Sequence, residues 1–271
     1  MKKLFALLLT LAMVLSLAAC GGEKEEPAKT EEPAGTETQE PAGDAGFTTV
    51  EEGKLILSTN AEFSPYEMLD DSGNPIGIDM EVGAAIAEKL GLELQIDDMG
   101  FDAALLAVQN GQSDIAMAGI TVDEERLEVM DFTDSYATGV QVVIVKEGSD
   151  VTLDNLGEKM IGTQMGTTGF IYCTDDYGED HVIGYETGAV AVQALVNGQI
   201  DAVVIDNLPA QSYVEGNEGL TILDTEYAVE DYAIGVKKGN TALLEAVNGA
   251  MAELKADGTF QSIVDKYIKA D

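Results

Sequence analysis

The sequence predicts an α/β protein built as two similar lobes, and three observations carry that prediction. Over 271 residues it is 45% apolar and 24% charged, the balance of a folded globular chain. From residue 54 onward, strand-like and helix-like patterns alternate, the order expected of α/β units around a largely parallel sheet. Finally, a helix–loop–strand unit occurs twice. Residues 107–119 read A-V-Q-N-G-Q-S-D-I-A-M-A-G and residues 194–206 read A-L-V-N-G-Q-I-D-A-V-V-I-D. Asn-Gly is ordinary helix-to-strand loop chemistry, but helix, loop and strand matching together at an offset of 87 points to duplicated architecture. The repeat makes Gly119 and Asp206 equivalent, each at the carboxyl end of a strand, where ligands sit in open α/β sheets.

Composition excludes several functions. There are 14 Lys+Arg against 50 Asp+Glu, a net charge of −36. Such a chain has no basic footprint for nucleic acid and is repelled by an anionic membrane surface. His181 is the single histidine, and Cys20 and Cys173 are the two cysteines. No metal or cofactor is expected from so few ligands. His181, in the acidic run G-E-D-H, reads as a surface residue rather than a triad member.

Taken in order, residues 1–19 have a basic start (Lys2, Lys3) and an apolar stretch from Leu4 to Leu17, the pattern of a secretory signal. Leu17-Ala18-Ala19-Cys20-Gly21 resembles the lipobox of bacterial lipoproteins, which implies cleavage before Cys20 and lipid on its thiol. From Cys20 to residue 47 the chain is Gly, Pro, Ala, Thr and Gln with eight acids and two lysines, an extended acidic tether. Leader and tether hold four of the basic and eight of the acidic residues, so −32 remains on residues 47–271. With Cys20 lipidated, Cys173 is either a buried small hydrophobe or an exposed thiol.

Residues 54–59 form a short apolar strand. Residues 79–90 put Met80, Ala84, Ala87 and Leu90 on one helical face with Gly91 as the stop. Residues 92–96 alternate like a strand, residues 102–110 are helical, and Asp114 to Met117 opens the next strand. Beyond it, Thr121 and Glu124 form an S/T-x-x-E capping box, so a helix starts there. Arg126, one turn on, is the sole arginine beside thirteen lysines. A guanidinium suits a carboxylate held bidentately, and an i,i+3 pair with Asp123 is its other role. Gly162 to Gly169 (G-T-Q-M-G-T-T-G) is a strand-to-helix turn of amide donors suited to an anion. Asp206 offers either a carboxylate to an ammonium group or an N-cap to the helix after Pro209. Phe63, after the first strand, reads as a wall for a ligand side chain, whereas Tyr66 is left between wall and core.

Over residues 50–270 the chain resembles the extracellular solute-binding family of polar-amino-acid receptors of ABC importers, which includes glutamine- and lysine/arginine/ornithine-binding proteins. The residues that carry the resemblance are Asn60 to Tyr66, Gly77-Ile78-Asp79-Met80-Glu81-Val82 running into Ile86-Ala87, and Ala118 to Arg126 with Met130 to Thr133. Gly166 to Gly169, Asp201 to Asp206, and Asp257 to Phe260 with Lys266-Tyr267 complete the match. The resemblance implies a two-lobed periplasmic-binding-protein (flytrap) fold, with crossing strands near Ala137–Val142 and Val229–Ile234. Lobe 1 would be residues 48–138 and 233–271, and lobe 2 residues 139–232.

By the same resemblance Arg126 holds an α-carboxylate with the amides of Thr121 and Thr167. Asp206 and the Gly119 carbonyl hold the α-ammonium, and Asn60, Phe63, Phe101 and Gln164 face the side chain. Asn60 stands where several relatives have Asp, Gln164 where the glutamine binder has Lys, and Phe170 where an acid is frequent, which widens the apolar lining. An uncharged or cationic polar amino acid is therefore the expected ligand, Glu62 being the one spare acid near a cationic side chain. The expected protein is a monomeric, lipid-anchored extracytoplasmic receptor, joined to the membrane through its lipid and delivering a free amino acid to an ABC permease. Two alternatives stay open: a cyclohexadienyl-dehydratase-like enzyme with Glu62 as acid or base, and a ligand-presenting sensor.

Overall fold

The computed structural model describes residues 46–268. The leader at 1–19, Cys20 and almost all of the tether lie outside the described residues. The alternation of strands and helices resolves into two main sheets, each covered by helices, beside a small antiparallel sheet of Glu62–Phe63, Glu67–Leu69 and Pro75–Ile76. The first sheet runs in the order Glu93–Asp98, Lys54–Thr59, Ile115–Ala116, Gly235–Lys237, Met130–Phe132. Lys54–Thr59 is parallel to both of its neighbours, and Gly235–Lys237 antiparallel to both of its own. The second runs Val182–Tyr185, Ile161–Gln164, Ala202–Asp206, Ala137–Lys146, Leu220–Ile222, with Ala228–Tyr232 also on the long Ala137–Lys146 strand. There too the parallel strands come first and the antiparallel ones last.

Strands buried on both faces read as continuous apolar runs, and that is why L-I-L and A-V-V-I carry no alternation. Leu55, Leu57, Ile115 and Met117 pack with Ile78, Val82 and Ile86 and with Leu243, Val247 and Leu254 of the helix Thr241–Ala256. In the second lobe Ile144, Val192, Leu195, Val203 and Ile205 fill one face of the sheet, and Val143, Val145, Leu156 and Val204 the other. Cys173 lies in that second layer, fully buried, with burial pushing its thiol up to about 12. It is a small hydrophobe rather than a reactive thiol.

One helical face differs from expectation. In the helix Ile78–Leu90 the buried set is Ile78, Asp79, Met80, Val82, Gly83, Ile86 and Ala87, while Ala84 is exposed and Leu90 half-buried. The helix is wedged between its own sheet and the C-terminal helices, so the covered arc is wider than one stripe and centred elsewhere. Phe170 also differs. It packs in the second lobe's core and against Gly184, and so adds nothing to the lining expected of it.

The chain crosses between sheets twice, from Phe132 to Ala137 and back from Tyr232 to Gly235. The two crossings lie side by side and antiparallel, Tyr232 opposite Ala137, with the Tyr136 amide donating to the Tyr232 carbonyl at 2.9 Å. This is the two-lobed fold with paired crossings, but the first lies just before Ala137 and not over Ala137–Val142, which belongs to the second sheet.

The repeat survives in three dimensions. Asn110 and Asn197 end their helices in nearly the same conformation, and Gly111 and Gly198 follow at φ 70° in both. The next amides, Gln112 and Gln199, close back on Ala107 and Ala194. Asp114 then accepts from the Ile56 amide and Asp201 from the Met160 amide, each at 2.8 Å, tying the loop to the neighbouring strand.

Candidate functional site

All nine residues singled out from the sequence line one cavity between the lobes: Asn60, Phe63, Phe101, Gly119, Thr121, Arg126, Gln164, Thr167 and Asp206. Three more line it that sequence reasoning missed, namely Glu67, Ala118 and Thr168. Strand ends and helix starts deliver almost all of them. Asn60 follows the first strand, Phe101 opens the helix Phe101–Gln109, Gln164 ends its strand, and Asp206 ends its own.

Arg126 is 7% exposed and sits in the short helix Glu124–Val129. The N-cap of that helix is Asp123, not Thr121: the Asp123 carboxylate accepts from the Arg126 amide at 2.7 Å. Thr121 is instead drawn into a β-bridge with Tyr232, which leaves its side chain facing Thr168 at 3.4 Å. Around the guanidinium, Nε faces Asp123 at 3.2 Å, Nη1 donates to the Thr121 carbonyl at 2.8 Å, and Nη2 donates to the Gly166 carbonyl at 3.1 Å. The Phe101 ring lies beneath, 5.5 Å from the guanidinium carbon. Of the two roles foreseen for Arg126, the i,i+3 pairing with Asp123 is the one the structure holds. A guanidinium has five N–H donors; two are spent on the Thr121 and Gly166 carbonyls, and those left over are enough for a bidentate carboxylate.

Across the cavity Asp206 is 7% exposed. It occupies the N-cap position of the helix Asn207–Gly216, which begins before Pro209, yet its side chain makes no capping bond. Its oxygens accept instead from the Tyr232 hydroxyl and, at 2.7 Å, from Gln141 Nε2. Burial raises its pKa to about 7, with Glu230 adding to the rise and the Tyr232 and Gln141 bonds opposing it. A cation arriving beside this carboxylate replaces the water it has lost.

Gly119, at the matching strand end, has φ +53°, and a Cβ there would lie 2.7 Å from the Phe63 ring. Glycine is what lets Phe63 close over the turn. Phe63 stacks on Tyr66 with centroids 6.0 Å apart, and Tyr66 belongs to the first lobe's core, which settles its open role.

The lobes touch across the cavity. Gln164 Nε2 donates to Asn60 Oδ1 at 2.9 Å, and Asn60 Nδ2 is spent on the Met99 carbonyl at 3.0 Å. At Gly166 a Cβ would meet the Asp102 carboxylate at 1.8 Å, so a side chain there would force Asp102 to turn away. Glu62 is exposed and does not line the cavity; its carbonyl accepts from Tyr213 at 3.3 Å. It offers no acid or base for an enzyme and no partner to a cationic side chain.

Comparison with known proteins agrees with this architecture. Residues 55–270 match the family described as bacterial extracellular solute-binding proteins, family 3. A probable histidine-binding protein of Neisseria gonorrhoeae is 30% identical over 98% of this chain and 96% of its own. The ABC transporter glutamine-binding protein GlnH of Bacillus subtilis (strain 168) is 30% identical over 100% of this chain and 99% of its own. The solved structure of an ancestral arginine-binding protein bound to glutamine has a TM-score of 0.77 and 36% identity. The match covers 81% of this chain and all of that one. With the fold, the paired crossings and the interlobe cavity all present, this chain belongs to the bacterial extracellular solute-binding proteins, family 3.

Proposed function

We propose that the protein captures a free polar amino acid between its lobes and hands it to the permease of an ABC transporter. One observation carries the reading: Arg126 from one lobe and Asp206 from the other face a single cavity, each with hydrogen-bonding capacity left over. A cation and an anion at the two ends of a closed site complement the α-carboxylate and α-ammonium of a zwitterion. In this reading the Thr121 and Thr167 amides assist Arg126, and the Gly119 carbonyl assists Asp206. Asn60, Gln164, Phe63 and Phe101 read the side chain. The amide pair Asn60–Gln164 suits an uncharged or cationic polar group, and the absence of lysine from the cavity lining disfavours an acidic one.

The relatives are named as histidine-, glutamine- and arginine-binding proteins, and none of these three names is an enzyme's. The protein works outside the cytoplasm as a binding protein. We place the lobe boundaries at 138/139 and 232/233, with closure about the paired crossings, and we read the protein as a monomer held to the outer face of the membrane by lipid on Cys20.

The test is a thermal-shift screen of the folded part against the twenty amino acids plus ornithine, citrulline and cystine. A ligand at a hundred times its dissociation constant stabilises the folded state by about 2.7 kcal/mol. One or a few clear hits name the ligand, and silence after refolding from denaturant would overturn the reading. Small-angle scattering with and without a hit should show compaction.

A further inference from the structure

Beneath the cavity lies a pair of carboxyls that the amino-acid reading does not use. Glu67, on the short strand Glu67–Leu69, is fully buried and lines the cavity beside Gly119 and Asp206. Asp79, in the first turn of the helix Ile78–Leu90, is fully buried as well. Backbone pairing holds them together, the Asp79 amide donating to the Tyr66 carbonyl at 2.9 Å. Asp79 Oδ2 accepts from the Tyr136 hydroxyl at 2.8 Å and from the Gly119 amide at 3.2 Å.

The other three oxygens of the pair, Glu67 Oε1, Glu67 Oε2 and Asp79 Oδ1, are buried without any donor. Two ionised carboxylates so placed would repel with no compensating charge. A single proton between them makes one Glu67 oxygen a donor to Asp79 Oδ1 and so answers for two of the three orphaned oxygens. It belongs on Glu67, because Asp79 already accepts two hydrogen bonds that favour its ionised form while Glu67 accepts none. The groups facing Glu67 from the packed elements are Asp79, Asp206, Asp98, Tyr66 and Tyr136, none of them a cation.

We infer that Glu67 is a protonated positioning residue of the binding site: its carboxylic acid donates to Asp79, which in turn fixes the Gly119 turn at the cavity floor. Burial, reinforced by Asp79, drives the Glu67 pKa well up, while the Tyr136 and Gly119 bonds restrain Asp79, which rises only to about 6. A neutral Glu67 also leaves the cavity lined by one cation, Arg126, and one titrating carboxylate, Asp206. With Arg126 present, two ionised carboxylates at the floor would favour an amino acid with a cationic side chain over one of no net charge. This consequence for ligand choice rests on the proposed amino-acid site, whereas the protonation state does not.

The experiment has two arms. Infrared difference spectra of the ligand-free protein at pH 7, wild type minus Glu67→Gln, should show the carbonyl band of a protonated carboxylic acid; its absence overturns the inference without touching the proposed function. In the second arm, affinity for L-arginine and L-glutamine is measured for Glu67→Met, which has no donor, and for Glu67→Gln, which keeps one. The Met variant should bind at least tenfold more weakly, and Gln should restore affinity to within about threefold of wild type. Equal loss in both variants would mean an ionised Glu67 that touches ligand, and equal retention would mean no positioning role. If wild type binds no amino acid at all, the proposed function falls while the infrared band still decides Glu67.

Discussion

At the end of one strand stands Gly119, a bare turn clamped by Asp79; at the end of its counterpart 87 residues on stands Asp206, a buried carboxylate. Behind them the lobes run in step, with the same helix end, the same left-handed glycine and the same aspartate tied to the neighbouring strand. What the lobes share is the code for turning a helix into a strand. What they do not share is charge: the guanidinium comes from the first lobe and the acceptor carboxylate from the second. Neither lobe alone brings both charges to the cavity, so on the proposed function a zwitterion would need both lobes at once.

The largest effect should come from the guanidinium. Arg126→Lys keeps the charge but loses the planar fork, and calorimetry should find affinity reduced tens-fold or more, on the order of 2–5 kcal/mol. Unchanged affinity would sink the carboxylate assignment. Next is Asp206, faced by Tyr232, Gln141 and Glu230. Its folded pKa of about 7 lies above the ordinary 3.8. Its contribution to stability is therefore present below about pH 4 and lost as pH rises through 7. Asp206→Asn should weaken ligand binding yet stabilise the empty protein at pH 8, on the order of 1–4 kcal/mol. Denaturant melts at pH 5 and pH 8 check this: the gain should shrink at pH 5, and a gain independent of pH would contradict it.

Smaller effects probe the shared scaffold. Asp114 is buried and accepts from the amides of both Val50 and Ile56, whereas Asp201 is exposed and accepts from Met160. Asp114→Ala should therefore cost about 2–3 kcal/mol and Asp201→Ala about 1 kcal/mol; the reverse order would break the equivalence argued from the repeat. Gly111→Ala and Gly198→Ala should each cost about 1 kcal/mol, since both glycines stand at φ 70°. A large disparity between the two would show that the loops are alike in sequence only.

Much of this was legible in the residues themselves. Helix stops at Gly91 and Asn110-Gly111 and the apolar strand runs are properties of a few neighbours in the chain. The family resemblance added the cavity set, because those residues sit at strand ends. Glu67 escaped notice because nothing near it in S-P-Y-E-M marks an acid that will lose all contact with water. Asp79 stood in plain view within Gly77 to Val82; an acid opening so apolar a helix was the one available hint. The Thr121 cap failed for a related reason. A cap is a local competition, and the distant Tyr232 decided it by pairing with Thr121 and leaving the role to Asp123.

The sequence by itself determined the α/β class, the duplication and the turns, since periodicity and turn chemistry act over one or two helical turns. Only the tertiary structure decided which acids are buried and which donors of Arg126 are already used. Desolvation and hydrogen-bond satisfaction depend on every element packed around a group, and those elements come from residues as far apart as Glu67, Gly119 and Asp206.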